Sequence, residues 1–156
     1  MLGSLKLPLW GWKYFTVYGG PYLERPTGML GVKLAKEIKA PSYVKIDTPD
    51  FGVPNKRDAR AGLWDVLDAI THGDPVYVGC MGGRGRTGLF LAILAKAFGV
   101  KNPVEYVREN YYEHAVETER QYQFVEEFEI DGHIKRKVAI SKFFSLFSLR
   151  NNLTIP

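Results

Sequence analysis

Pro75-Val76-Tyr77-Val78-Gly79-Cys80-Met81-Gly82-Gly83-Arg84-Gly85-Arg86-Thr87-Gly88 is the stretch on which the reading of this chain turns. Pro75 to Gly79 is a short apolar run and predicts a buried strand. Leu89 to Phe98, closed by Gly99, is apolar nearly all round, which predicts a helix buried at the centre of a domain. Between the two lie Gly82, Gly83 and Gly85. Glycines ahead of a helix let successive backbone N–H groups converge on one concavity, with the helix's positive end beneath it. Such a nest binds an anion, most often phosphate.

Three phosphate motifs compete for these residues. Gly83-x-Gly85-x-x-Gly88 formally matches the dinucleotide fingerprint. That fold needs a second parallel strand and an acidic residue about twenty positions on, whereas here the helix leads to Asn102-Pro103 and another helical segment. A Walker A loop requires Arg86 in place of its lysine and Cys80 in place of its first glycine. The third reading uses every residue: Cys80 and Arg86 enclose five residues, and Thr87 follows at once. A cysteine at the base of the nest has its thiolate stabilised by the N–H groups that hold the phosphate. Arginine supplies a planar fork for two phosphoryl oxygens, and Thr87 can donate its hydroxyl to the departing sulfur.

This loop resembles the signature C-x5-R-[ST] of the cysteine-based protein tyrosine phosphatase superfamily. Thr48-Pro49-Asp50-Phe51-Gly52-Val53-Pro54 is similar to that family's mobile acid loop, with Thr48 where tryptophan is usual. Glu117-Thr118-Glu119-Arg120-Gln121 looks like its Gln-Thr-x-x-Gln water-orienting loop, with Glu117 replacing the first glutamine. The resemblance implies an α/β (α+β) domain with a central mixed sheet flanked by helices. It also implies Cys80 as nucleophile, Arg86 and the 81–86 amides (Met81, Gly82, Gly83, Arg84, Gly85) as phosphoryl cradle, Thr87 as leaving-group support and Asp50 as general acid. Asp47 is the reserve acid, and Gln121 and Glu117 are candidate water-positioning residues. No metal or cofactor is expected, because the loop supplies the charge stabilisation.

Four departures qualify the likeness. Gly79 stands where the family usually has histidine, so either backbone donors organise the loop unaided or the thiolate is less stabilised. Glu117 brings a carboxylate to a phosphate site. No segment corresponds to the deep phosphotyrosine slot of larger relatives, so the chain looks like the compact dual-specificity type. Arg84 resembles the branch acting on phosphoinositides. A phosphorylated protein is therefore the expected substrate; a phosphoinositide or small phosphate ester is the alternative, and a catalytically inactive phosphate-binding module the rival from another class.

The remaining sequence fits one soluble domain over residues 1–156, with 46% apolar content and one cysteine. A single cysteine excludes an internal disulfide framework and multi-cysteine metal sites, and a functional thiol suits a reducing, cytoplasmic compartment. No apolar run reaches the roughly 18 residues that span a bilayer, and Met1 to Trp12 lacks the apolar core of a secretory signal. The net charge of +4 equals the excess in residues 131–156 alone, where Lys135, Arg136, Lys137, Lys142 and Arg150 face Asp131. No nucleic-acid surface is therefore expected. Residues 133–156 are basic and apolar-rich: they fit a peripheral membrane or acidic-partner contact, or a final helix or strand packed on the domain.

Local patterns predict the other elements. Lys13 to Tyr18 alternates as a strand, and the aromatic run Trp10 to Tyr22 reads as core and sheet. Leu30 to Lys39 reads as a short helix with Lys33, Lys36 and Lys39 outside. Tyr43 to Ile46 is a strand, 47–54 a loop, and Lys56 to Thr71 a helix stopped by Gly73 and Pro75. Asn102-Pro103 opens a helix to about His114. Thr118 with Gln121 is a capping box for a helix to about Ile130.

Overall fold

The computed structural model describes residues 1–145. Its central strand is the apolar run ahead of the cysteine, Val76–Cys80, buried at every position. In chain order the strands are β1 (Gly3–Pro8), β2 (Tyr14–Pro21), β3 (Leu30–Ala35), β4 (Val44–Thr48) and β5 (Val76–Cys80). The helices are α1 (Lys56–Thr71), α2 (Gly85–Ala97), α3 (Pro103–Asn110), α4 (Glu119–Glu127) and α5 (Gly132–Ser145). Among the described residues the strands form one mixed sheet in the order β1-β2-β5-β3-β4. β1 and β2 are an antiparallel hairpin; β2 and β3 flank β5 in parallel, and β4 lies parallel beyond β3.

A parallel strand buried on both faces gives a continuous apolar run, which is how β5 looked in the sequence. α2 follows it across a four-residue loop, and every residue of α2 except Lys96 is buried. Lys96 reaches out to bond the carbonyls of Val125 and Glu126 at the end of α4, satisfying acceptors that a helix terminus leaves open. α3 and α4 pack on α2, and α5 lies along α1. Asn55 caps α1 by accepting from the N–H groups of Arg57 and Asp58, a start signal that accompanies the expected helix over Lys56 to Thr71. Among the described residues no helix is long and apolar enough to cross a membrane.

The segment read as a helix over Leu30 to Lys39 is a strand, β3, followed by a turn. Apolar spacing in Leu30-Gly-Val-Lys-Leu-Ala fits a helix face and an interior strand alike, and the sheet decides because β3 fits between β5 and β4. Lys33, expected outside, is 6% exposed. Its Nζ donates to the carbonyls of Ile38 and Ala40 at 2.7 and 2.8 Å, so the buried cation folds the following turn around itself. A further correction concerns the aromatic run near the start, while near the end the final-helix alternative for the tail holds over residues 132–145. In the aromatic run Phe15 and Tyr22 enter the core, but Trp12, between β1 and β2, is 90% exposed. Residues 132–145 of the basic tail form α5 on α1, with Ser141 bonded to Leu67 O and Thr71; residues 146–156 of that expectation lie outside the described residues.

Lys33→Met removes both donors and leaves two carbonyls without their partner. The expected loss is roughly 2 kcal/mol, read as a drop of several degrees in the midpoint of thermal unfolding. An unchanged midpoint would mean that water replaces the ammonium at no cost.

Candidate active site

Cys80 ends β5 and is 3% exposed. Its Sγ accepts from the Gly83 N–H and the Thr87 hydroxyl, both at 3.2 Å. Gly83 has φ 74°, the left-handed conformation that a side chain disfavours, and this turns the chain back over the sulfur. α2 starts at Gly85, so its first-turn N–H groups lack intrahelical partners and face the same concavity. The loop and the first helical turn thus surround one sulfur with donors.

Arg86, in that first turn, is 3% exposed. Its fork bonds Glu37 through two parallel contacts of 2.7 and 3.0 Å, and Nη1 also donates to the Thr48 carbonyl at 3.0 Å. Asp50 Oδ1 lies 3.4 Å from Nη2. The hydrogen bond from Arg86 holds the Glu37 carboxyl below the ordinary carboxylate range. Glu37 carries no local sequence signal: it sits in the turn after β3, 49 residues from its partner, and only the strand order brings the two together.

A pocket of about 240 Å³ gathers Asp50, Cys80 and Arg86 with Met81, Gly82, Arg84 and Gly85 of the loop, and with Phe51 and Glu117 at its rim. Gly83 is not part of that lining; its carbonyl accepts from the buried Tyr111 hydroxyl at 2.5 Å. Asp50 stays accessible and accepts from the Phe51 N–H at 3.1 Å. Asp47 instead pairs with Lys45 at 3.4 Å, outside the pocket. Gln121 is fully buried. Its Oε1 accepts from the N–H groups of Glu117 and Thr118, completing the capping box, and its Nε2 donates to Gly52 O at 3.1 Å. The side chain therefore ties the start of α4 to the loop that carries Asp50.

The family model described as Swiss Army Knife protein, DSP-PTPase phosphatase domain, matches residues 31–129, from β3 through α4. The chain belongs to this DSP-PTPase family. It is also similar to two uncharacterized proteins of Methanocaldococcus jannaschii, MJECL20 at 47% identity over 92 residues and MJ0215 at 45% over 86. Those matches cover 58% and 55% of this chain and 61% and 53% of the two relatives, so the chain spans little more than half their length. Among solved structures, the fold resembles Tk-PTP in its active form (TM-score 0.58, 23% identity, 65% of this chain and 78% of that one). It also resembles kinase associated phosphatase (TM-score 0.60, 13% identity, 81% and 93%). Family membership carries the fold and the cysteine-based phosphatase class of the domain over residues 31–129.

Within the DSP-PTPase domain, Gly79 now has a steric account. A Cβ there would fall 2.6 Å from Tyr22 Cα and 2.9 Å from Gly20 O, backbone atoms that cannot move aside. One at Gly83 would fall 2.5 Å from Gly20 Cα. The end of β2 is pressed against the phosphate loop on its inner side, and a histidine before Cys80 has no room.

Two outcomes test this arrangement. Gly79→Ala is expected to cost about 1–3 kcal/mol through overpacking, seen in chemical denaturation; a neutral effect would show that the β2 end is free to retreat. Glu37→Gln tests the clamp by pH. A carboxyl whose folded pKa is depressed contributes stability that is complete above its unfolded pKa and is lost as pH falls through the folded one. Thermal midpoints of wild type and Glu37→Gln should therefore differ at neutral pH and converge in acid.

Proposed function

We propose that this chain hydrolyses phosphate monoesters on proteins, phosphotyrosine and also phosphoserine or phosphothreonine, through a cysteinyl-phosphate. The setting of Cys80 supports this reading above all: a sulfur that receives two donors at 3.2 Å on the floor of a pocket that Arg84 and Arg86 also line. In the first step the Cys80 thiolate attacks phosphorus while the bond to the ester oxygen breaks and Asp50 gives that oxygen its proton. The N–H groups of Arg86 that Glu37 and Thr48 leave unused, together with the loop N–H groups, hold the three equatorial oxygens. Thr87 donates to the sulfur, which steadies it as thiolate before attack and as leaving group afterwards. In the second step Asp50 takes a proton from water as it attacks phosphorus, the S–P bond breaks, and phosphate leaves. Glu117 lies beside Gly85 at the pocket edge, within reach of that water, while Gln121 acts on the same step by holding the acid loop.

Charge and shape favour a single phosphate on a protein over a polyanionic lipid headgroup. The cations of the pocket, Arg84 and Arg86, are matched by Asp50 and Glu117, and Arg86 is already paired with Glu37. Arg84 lies over the Tyr112 ring at 5.5 Å. At the mouth, Phe51 and Met81 are 61% and 49% exposed, an apolar rim suited to an aromatic ring or the side of a peptide.

Hydrolysis of p-nitrophenyl phosphate in reducing, chelated buffer tests the scheme. Cys80→Ser should abolish turnover, and undiminished turnover would end the proposal. Asp50→Asn should lower kcat roughly 10²–10⁴-fold, the usual worth of a general acid, and erase the alkaline limb of a bell-shaped pH–rate profile. Phosphate release from a phosphotyrosyl peptide should exceed that from a short-chain phosphoinositide; the reverse order would transfer the assignment to lipids.

A further inference from the structure

Glycines at 82, 83 and 85 leave the phosphate loop free to turn its peptide planes either way at little steric cost. Something outside the loop has to choose. The residue before the cysteine, Gly79, supplies no side chain, but Tyr111, just past the end of α3, reaches the loop from inside the molecule. It is 8% exposed. Its ring fills the space over two strand glycines: a Cβ at Gly3 or Gly19 would fall 3.1 or 3.0 Å from ring carbons. Its hydroxyl donates to the Gly83 carbonyl at 2.5 Å, out of contact with solvent. Burial first, and then the charge of Cys80, push the phenol far above its ordinary range, so the group remains a donor at every working pH.

The C=O and N–H of a trans peptide point in opposite directions. Pinning the Gly83 carbonyl inward therefore turns the N–H of the same peptide, that of Arg84, outward. That is the side on which Gly82, Arg84 and Gly85 line the pocket and from which Gly83 itself is absent. We infer that Tyr111 is a positioning residue for anion binding: by holding the Gly83 carbonyl it aims the Arg84 N–H into the pocket as a donor to the bound phosphoryl group. The inference rests on the pocket being a phosphate site, and it adds a residue 28 positions away from the loop it orders.

Isothermal titration of the full chain with sodium tungstate, a phosphoryl mimic, tests it alongside thermal unfolding. Tyr111→Phe keeps the ring and removes only the hydroxyl; it should bind tungstate roughly tenfold more weakly, the worth of one hydrogen bond to a charged group. Tyr106→Phe is the control, since it removes another hydroxyl from α3 that bonds Lys6 O away from the pocket, and it should bind as wild type. Equal affinity in Tyr111→Phe and wild type would overturn the inference, as would a wild type that binds no tungstate. Should Tyr111→Phe fail to fold, the amide spectrum of ¹⁵N-labelled wild type decides: the Arg84 N–H should move strongly downfield at saturating tungstate, and an unmoved signal would overturn the inference. Tungstate binding weakened by Tyr111→Phe, in a wild type that hydrolyses no ester, would uphold it and remove only the phosphatase reading.

Discussion

An arginine, Arg86, with 3% of its surface exposed is the constraint around which this molecule is arranged. A buried charge is tolerated only when it is paired and its donors are used, and Arg86 meets that condition by drawing in two segments distant in sequence. Glu37, after β3, gives a bidentate carboxylate, and the end of β4 gives the Thr48 carbonyl. Thr48 leads directly into the loop that carries Asp50. Arg86 is therefore also the fastener that brings Asp50 to the pocket of Cys80. Its pairing leaves the face toward Cys80 and Asp50 open, so its neutralisation does not close the site.

The inner side of the loop is held differently, by close backbone approach rather than charge. Gly20 against Gly83, and Tyr22 against Gly79, leave no volume for side chains, and the Tyr111 hydroxyl takes the carbonyl that this packing turns inward. Direct contact of two backbones gives a rigid loop without a buried imidazole. It also leaves position 79 room for glycine alone. α4 adds the outer restraint, with Thr118 and Gln121 serving at once as helix cap and as tether for the loop that carries Asp50. The same side chains that satisfy a helix terminus thus hold the backbone next to Asp50.

Much of this was legible in the chain because the signals are contiguous. Cys80 to Thr87 spans one loop and one helical turn, the cap at Thr118 acts within three residues, and α2 declares its burial through composition. Leu5-Lys6-Leu7 alternates as β1 does, yet so short a run gains meaning only once β2 lies beside it. Leu30 to Lys39 misled because a helix face and an interior strand share its apolar spacing, and because a lysine is expected in water. Burial of Lys33 becomes affordable only when the turn beyond β3 offers two carbonyls to its ammonium.

What the sequence by itself determined was local: a cysteine, a glycine-rich turn into a buried helix, an arginine in its first turn and a loop bearing Asp50, each encoded over a few neighbouring residues whose backbone geometry follows from glycine, proline and capping side chains. The tertiary structure decided which distant groups complete them. Glu37 and Tyr111 act across 49 and 28 residues, and no periodicity or spacing marks them, because their partners are set by the order of strands in the sheet. Pairing of a buried charge and the direction of a peptide plane are properties of packed segments, and they exist only once the segments meet.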